Sequence, residues 1–338
     1  MSRSLHFSAS TSVKNLFGRG LITDQVAAVF ELVKNSYDAD ATEVEIVFSN
    51  LKSDSPSLKI VDNGTGMDLN DIENRWMIIG TDSKKNSMFS PIFNRPLNGD
   101  KGIGRFSVDR LGSFLHMETQ KRDSMERFLV DFDWTVFDGE ARNINEIEIP
   151  YVDQKSDNKT HGVSLSISNL RDRWDEGKLR ELYRNLRQFK SPFSQDDNFS
   201  IFITAPELGY NRREVTVEKL EGVSSLWISA EITDKNPDII YLCVSKDGLE
   251  YESTQSNPSS FGSVKAQVFM FNQGDKIRFA NRYGLRVREY GNIRLYRDSF
   301  RVYPYGEAKN DWLDIDRRQS QGTMRFLGTR DLIGYVQI

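Results

Sequence analysis

The chain has 338 residues, 38% of them hydrophobic and 28% charged, with a formal net charge of −4; at that length two domains are a better expectation than one. A single cysteine, Cys243, excludes an internal disulfide framework and a thiolate zinc site, and reads as a buried core residue. No stretch approaches the ~20 consecutive apolar residues of a membrane span, and the polar start Met1–Ser10 lacks the apolar core of a secretory signal, so a cytoplasmic protein with no membrane partner is expected.

Charge is unevenly spread: Lys276 to Arg330 holds 13 Lys or Arg against 6 Asp or Glu, an excess of +7 that leaves −11 for the rest. Pattern changes divide the chain into a first domain over residues 1–210 and a second over 211–338. The first opens with a helix from Thr23 to Asp38, followed by two strands, Glu43–Phe48 with strict alternation and Leu58–Val61. Thr81 to Asp100 is polar, with few apolar anchors, and reads as a mobile loop before a glycine-punctuated turn that opens another helix. Strands are expected at Arg127–Asp133, Gly162–Ser168 and Phe199–Thr204, and a helix at Glu176–Gln188. Glu207–Glu214 reads as the polar stretch between domains. The second domain, a smaller mixed α/β unit, has strand candidates at Ile239–Ser245, Val264–Phe271, Ile293–Tyr296 and Arg301–Tyr303. The final Gly334–Ile338 looks like a strand without a closing turn, which suggests a domain truncated at its C-terminal end.

Three groups of residues carry chemistry. On the first helix Glu31, Asn35 and Asp38 fall within an arc of ~60°, while Val26, Val29, Phe30, Val33 and Tyr37 project from the opposite side. This is either a ligand-facing stripe or an ordinary solvated face. Asp62-Asn63-Gly64-Thr65-Gly66-Met67 ends a strand with a carboxylate beside a backbone that a ligand can approach closely, and a carboxylate can accept from an amine such as adenine N6; a plain turn has the same signature. Gly99-Asp100-Lys101-Gly102-Ile103-Gly104-Arg105-Phe106 combines glycines and cations at a helix start, where free N–H groups suit phosphate, without matching the Walker A spacing.

In this order and at these separations the three groups resemble the GHKL superfamily of ATP-binding proteins: DNA gyrase B subunits, MutL, MORC proteins, ninety-kilodalton heat-shock chaperones and histidine kinases. The resemblance covers about residues 15 to 205 and implies a Bergerat fold, an α/β sandwich of a mixed sheet covered by helices. It implies ATP and magnesium as cofactors, Glu31 as the base that activates water, Asn35 as the magnesium ligand and Asp62 as the adenine acceptor. Gly64, Gly66 and Met67 would line the base pocket beside Ala39, and Asp38 would act from a second layer. Lys101, Gly102, Ile103, Gly104, Arg105 and Phe106 would hold the phosphates, and Ile79-Gly80-Thr81-Asp82-Ser83-Lys84 resembles the start of the ATP lid, from which Thr81 and Lys84 reach the nucleotide. Where many relatives carry Gly-Thr, this chain has Gly162-Val163. Valine cannot join the adenine water network, and Ser164 would point to the other face of the strand.

None of His6, His116 and His161 lies on a long heptad helix, so a histidine-kinase layout does not fit. A second α/β domain resembles instead the transducer of gyrase, MutL and MORC proteins, from which Arg317, Arg318 or Gln319 is the candidate to meet the γ-phosphate, unless the arginines pair with neighbouring aspartates. The resemblance implies a magnesium-dependent ATPase whose lid closes and which homodimerises on nucleotide; the alternative is a nucleotide-gated binding module with little hydrolysis. An unidentified protein client is expected. DNA is kept as a candidate partner because Arg286, Arg288, Arg294, Arg297 and Arg301 interleave with Tyr283, Tyr290, Tyr296 and Tyr303, although alternate arginines also suit the solvated face of a sheet.

Overall fold

The computed structural model describes residues 11, 22, 24–78, 89–95, 97, 107–138, 143–157, 160–187, 193, 198–216, 219–233, 236–256, 262–297, 300–302, 304–307, 309–322 and 326–338. Two compact units are present, Met1–Leu186 with Asn198–Val215, and Arg187–Asp197 with Thr216–Ile338.

The first unit is built on an eight-stranded sheet of β1 (Glu43–Ser49), β2 (Ser57–Asp62), β3 (Gly112–Gln120), β4 (Glu126–Asp133), β5 (Tyr151–Lys155), β6 (Gly162–Leu170), β7 (Ser200–Ala205) and β8 (Tyr210–Glu214), in the order β5-β4-β3-β6-β2-β1-β7-β8. Neighbours are antiparallel except β1 and β7, which run parallel. Alternation sets the faces. Val44, Ile46 and Phe48 pair with Asp62, Ile60 and Leu58, and these apolar residues join Leu115, Met117, Ile167, Ile201 and Ile203 in the core. The opposite face carries Ser164, Ser166 and Ser168 along β6, as an antiparallel sheet with one wet side allows.

The first helix, Gln25–Asp38, starts where Asp24 accepts hydrogen bonds from the N–H groups of Val26 and Ala27, at 2.8 and 3.0 Å. Its stripe of Val26, Val29, Leu32, Val33 and Tyr37 is buried. A second long helix, Glu176–Arg187, buries Leu179, Leu182 and Leu186.

Two readings of this unit need correction. Tyr210–Glu214, taken as part of a separating stretch, is an edge strand whose last four residues are exposed, so it has no apolar period to read. β3 was missed. The turn before it does open a helix, Ser107–Leu111, but that helix ends after five residues and runs straight into the strand.

The second unit is a seven-stranded sheet of β9 (Leu226–Thr233), β10 (Asn236–Ser245), β11 (Gly248–Gln255), β12 (Val264–Met270), β13 (Ile293–Arg297), β14 (Phe300–Val302) and β15 (Leu332–Gln337), ordered β11-β10-β9-β12-β15-β13-β14. Only β13 and β15 are parallel among the pairs described. The helix Gln273–Tyr283 is opened by a capping box between Asn272 and Asp275 and closed by Gly284 at φ 70°. Phe269, Phe271, Phe279, Val287, Tyr290, Tyr296, Ile333 and Tyr335 form its core.

Here the arginine and tyrosine pattern is corrected. Arg294 is 1% exposed; it donates to the Tyr290 carbonyl at 2.6 Å and lies 3.9 Å over the Tyr290 ring. Arg301 is also buried and pairs with Glu307 at 2.7 Å. Neither belongs to a solvated face or to a surface for a nucleic-acid backbone. Arg317 pairs with Asp314 at 3.3 Å, on the short helix Ile315–Ser320. Cys243 is half-buried on β10 rather than in the core. Tyr303 lies outside the described residues.

Candidate nucleotide site

The site is built where the end of the first helix meets the end of β2. Helical spacing places Glu31, Asn35 and Asp38 on successive turns; Glu31 and Asn35 are partly open, and Asp38 is buried. Lys34 approaches Glu31 only to 4.0 Å, which leaves the carboxylate available for other chemistry. The helix stops at Ala39, whose N–H reaches the Asn35 carbonyl at 3.0 Å.

Asp62 is the most constrained of the expected residues. Its Oδ1 accepts from the Gly64 N–H at 2.9 Å and the Val163 N–H at 3.2 Å, and its Oδ2 accepts from the Ser36 hydroxyl at 2.8 Å. Each carboxylate oxygen has two acceptor positions. Described residues therefore fill both positions on Oδ1 and one on Oδ2, leaving one acceptor position on Oδ2. Burial pushes the Asp62 carboxyl above its ordinary value; the bonds from Gly64, Ser36 and Val163 and the charge of His161 oppose that rise.

The turn after Asp62 is fixed by close backbone approach. Gly66 has φ 63°, and a Cβ there would lie 1.9 Å from the Gln120 carbonyl oxygen. At Gly64 a Cβ would come within 2.7 Å of the Ala39 carbonyl oxygen, so this glycine lets the turn settle against the helix end. The Thr65 N–H completes that contact, donating to Ala39 at 2.7 Å. Met67 donates its N–H to the Thr119 hydroxyl at 2.9 Å, and Thr119 in turn donates to the Gly162 carbonyl at 3.1 Å. His161 Nδ1 lies 2.6 Å from the Gly64 carbonyl oxygen; a carbonyl only accepts, so Nδ1 carries the proton.

Ala39, Asp62, Gly64, Gly66 and Met67 are thus brought together, with Glu31 and Asn35 farther back along the helix. Thr81, Lys84, Lys101, Gly102, Ile103, Gly104, Arg105 and Phe106 lie outside the described residues. Val163 pairs directly with Asp62 and shares its face, whereas Ser164 pairs with Val61 on the other, so the relatives' threonine has no hydroxyl counterpart at these two positions. Three participants were not assigned from the sequence. Ser36 lies inside the Glu31–Asp38 box, between Asn35 and Asp38, and had only the signal of a small polar residue there. Thr119 had none, being on the missed strand. His161 is fixed by a contact spanning 97 residues.

No group of three or more His, Cys, Asp or Glu among the described residues suits a metal ion. Mg²⁺ keeps several waters and is usually held by one or two carboxylates together with substrate phosphates; the Asn35 amide oxygen can join such a shell as a neutral ligand, with the charge supplied by the phosphates. Among the described residues no helix is long and apolar enough to cross a membrane.

Residues 23–163 match the family model of the histidine kinase-, DNA gyrase B-, and HSP90-like ATPases. This match likens residues 23–163 to the GHKL-type ATPases and supports ATP binding by the chain. Among curated proteins it is similar to a putative type II restriction enzyme, HgiDII, of Herpetosiphon aurantiacus, 24% identical over 220 residues that cover 65% of this chain and 34% of that protein. It is also similar to the chaperone protein HtpG of Helicobacter pylori, 27% identical over 218 residues, 59% of this chain and 31% of that one. The DNA mismatch repair protein pms1 of Schizosaccharomyces pombe is 43% identical over 64 residues, 19% of this chain and 8% of that one. The chain therefore spans about a third or less of the length of these relatives. A solved structure, the Aquifex aeolicus MutL ATPase domain complexed with ADP, aligns over 93% of this chain and 91% of that one with a TM-score of 0.43 and 12% identity.

Proposed function

We propose that this chain is a magnesium-dependent ATPase that binds adenine at Asp62 and uses Glu31 to activate water. The observation that carries the reading is the acceptor position on Asp62 Oδ2 that no described residue fills, beside three positions held by Gly64, Val163 and Ser36. An exocyclic amine donates to such an oxygen, and a keto group at the same place does not. Ala39, Gly64, Gly66 and Met67 line the base end. Asn35 would hold Mg²⁺, which would supply neutralisation of phosphate charge, and Glu31 takes a proton from the attacking water. Thr81, Lys84 and the run Lys101–Phe106 hold the phosphates. In this reading nucleotide closes the lid and brings two copies together, the second unit acts as a transducer, and hydrolysis resets the clamp in the cytoplasm.

The second reading is a nucleotide-gated module for a protein or DNA client, with little turnover. It is favoured by the similarity to a putative restriction enzyme and a mismatch repair protein of which this chain spans only 34% and 8%. Calorimetry with ATP and Mg²⁺, paired with phosphate release, separates the two. Glu31→Ala is expected to keep ATP affinity and lose ~10²- to 10⁴-fold in hydrolysis, the usual worth of a general base. Unchanged turnover in that variant removes Glu31 from the chemistry, and absence of ATP binding in the parent overturns the nucleotide reading.

A further inference from the structure

The residues just beyond the first helix hold a polar network that the nucleotide site leaves unexplained. The helix ends at Ala39, and Asp40 then adopts the left-handed region at φ 57°, a conformation that aspartate enters more readily than most L residues because its short side chain can hydrogen-bond nearby. Asp40 is 4% exposed, and its carboxylate is claimed by one short segment: the Ser90 hydroxyl at 2.5 Å, the Ile92 N–H at 2.9 Å and the Phe93 N–H at 3.1 Å.

That segment ends at Arg95, also buried at 5% exposed. Its guanidinium donates to the Tyr37 carbonyl at 3.1 Å and the Ala41 carbonyl at 2.6 Å, on either side of Ala39 and Asp40, and reaches the Asn198 carbonyl at 3.4 Å. It lies 4.2 Å from the Tyr37 ring centroid and 4.8 Å from that of Phe93. Ser90 joins the two charges by donating to Asp40 and accepting the Arg95 N–H at 2.9 Å. A buried guanidinium is costly unless its donors are satisfied, and a five-donor fork is suited to gripping several carbonyls at once.

This grip bears on the adenine end of the site through Ala39. Its carbonyl accepts the Thr65 N–H and faces Gly64 so closely that a methyl group would not fit. The position of the Ala39 peptide therefore sets where the Asp62–Gly66 turn can rest. We propose that Asp40 and Arg95 are positioning residues for adenine-nucleotide binding, acting through Ala39 on the turn that presents Asp62. The inference rests on the nucleotide reading above. It gives residues 90–95, part of a stretch whose sequence shows little apolar anchoring, a fixed role: they pin the end of the first helix.

The test compares the parent with Asp40→Gly, Arg95→Lys and Ser90→Ala. Glycine accepts φ 57° freely, so Asp40→Gly keeps the backbone shape and removes only the carboxylate. Lysine keeps the charge of Arg95 and loses the fork. Calorimetry with ATP and with ADP is expected to show affinity about tenfold weaker for Asp40→Gly and Arg95→Lys, by the same factor for both nucleotides because the base end is common to them, and a smaller loss for Ser90→Ala. Turnover at saturating ATP stays within about threefold of the parent, since Glu31 lies two turns upstream. Circular dichroism establishes which variants are folded, and Ser90→Ala decides the matter if the other two are not. Folded variants with parental affinity, or with parental affinity and reduced turnover, overturn the proposal while leaving the nucleotide reading intact. A parent that binds neither nucleotide overturns both.

Discussion

Each unit holds an aspartate that accepts several hydrogen bonds from its own chain, and the two are finished differently. Asp275, in the second unit, is 0% exposed and accepts from the backbone N–H groups of Asn272 and Ser225, the Ser225 hydroxyl and the Arg278 guanidinium. Its four acceptor positions are filled, and the result is a helix start locked to the strand that follows Ser225. Asp62, in the first unit, has three positions filled by described residues, and burial raises its carboxyl. Asp275, with its full set of donors, is architecture; Asp40, with three, is held by residues 90–93; under the reading proposed above, the remaining Oδ2 position of Asp62, at the edge of a glycine-bounded turn, takes a donor from outside the chain.

The most drastic way to break this contrast is to spoil the turn that holds Asp62. Gly66→Ala places a methyl group against the Gln120 carbonyl at a left-handed position, and a loss on the order of 4 kcal/mol is expected in denaturant unfolding, with nucleotide binding lost as well. Asp275→Asn is expected to cost about 3 kcal/mol by leaving hydrogen-bonding groups misaligned in a closed site, with ATP affinity unchanged in the folded fraction. A parental melting temperature for that variant contradicts the reading of Asp275 as architecture.

Asp62→Asn inverts the pattern. An amide there turns a donor toward at least one of the groups now donating to it, and ATP affinity should fall about 100-fold with a much smaller change in thermal midpoint. Equal ATP affinity in parent and variant would remove Asp62 from base recognition.

The finest comparison uses pH. Because burial raises the Asp62 carboxyl, the folded protein binds a proton there more readily than the unfolded chain. Its contribution to stability is therefore present in acid and is lost as pH rises from the ordinary carboxylate value through the raised one. Adenine binding runs the other way, since the ionised form is the acceptor: affinity should fall as pH drops through the raised value, by up to about tenfold per unit for one proton. Titration calorimetry of the parent against Asp62→Asn reads this directly, and identical pH profiles would dismiss the linkage.

Much of the site was legible because helical and strand periods are local. Glu31, Asn35 and Asp38 had to share a helix face once the opposite apolar stripe was recognised, and Asp62, Gly64 and Gly66 had to sit at a strand end. Both strands and the helix are where their patterns place them. β3 and β8 were hidden, the first because a five-residue helix merges into it and the second because an edge strand with four exposed residues carries no apolar alternation.

By itself, then, the sequence determined the class of site: a carboxylate and amide stripe, a glycine-bounded acid, and the order that marks an ATP-binding superfamily. Only the tertiary structure decided which charges are inside. Arg294 and Arg297 look alike in the chain, yet Arg294 is buried over Tyr290 while Arg297 ends its strand exposed. Arg95 sits in a polar stretch with few anchors and is buried between segments separated by more than 50 residues. The reason is physical: period and propensity act over a few residues, whereas the burial of a charge is settled by distant carbonyls and rings that converge only when the chain has folded.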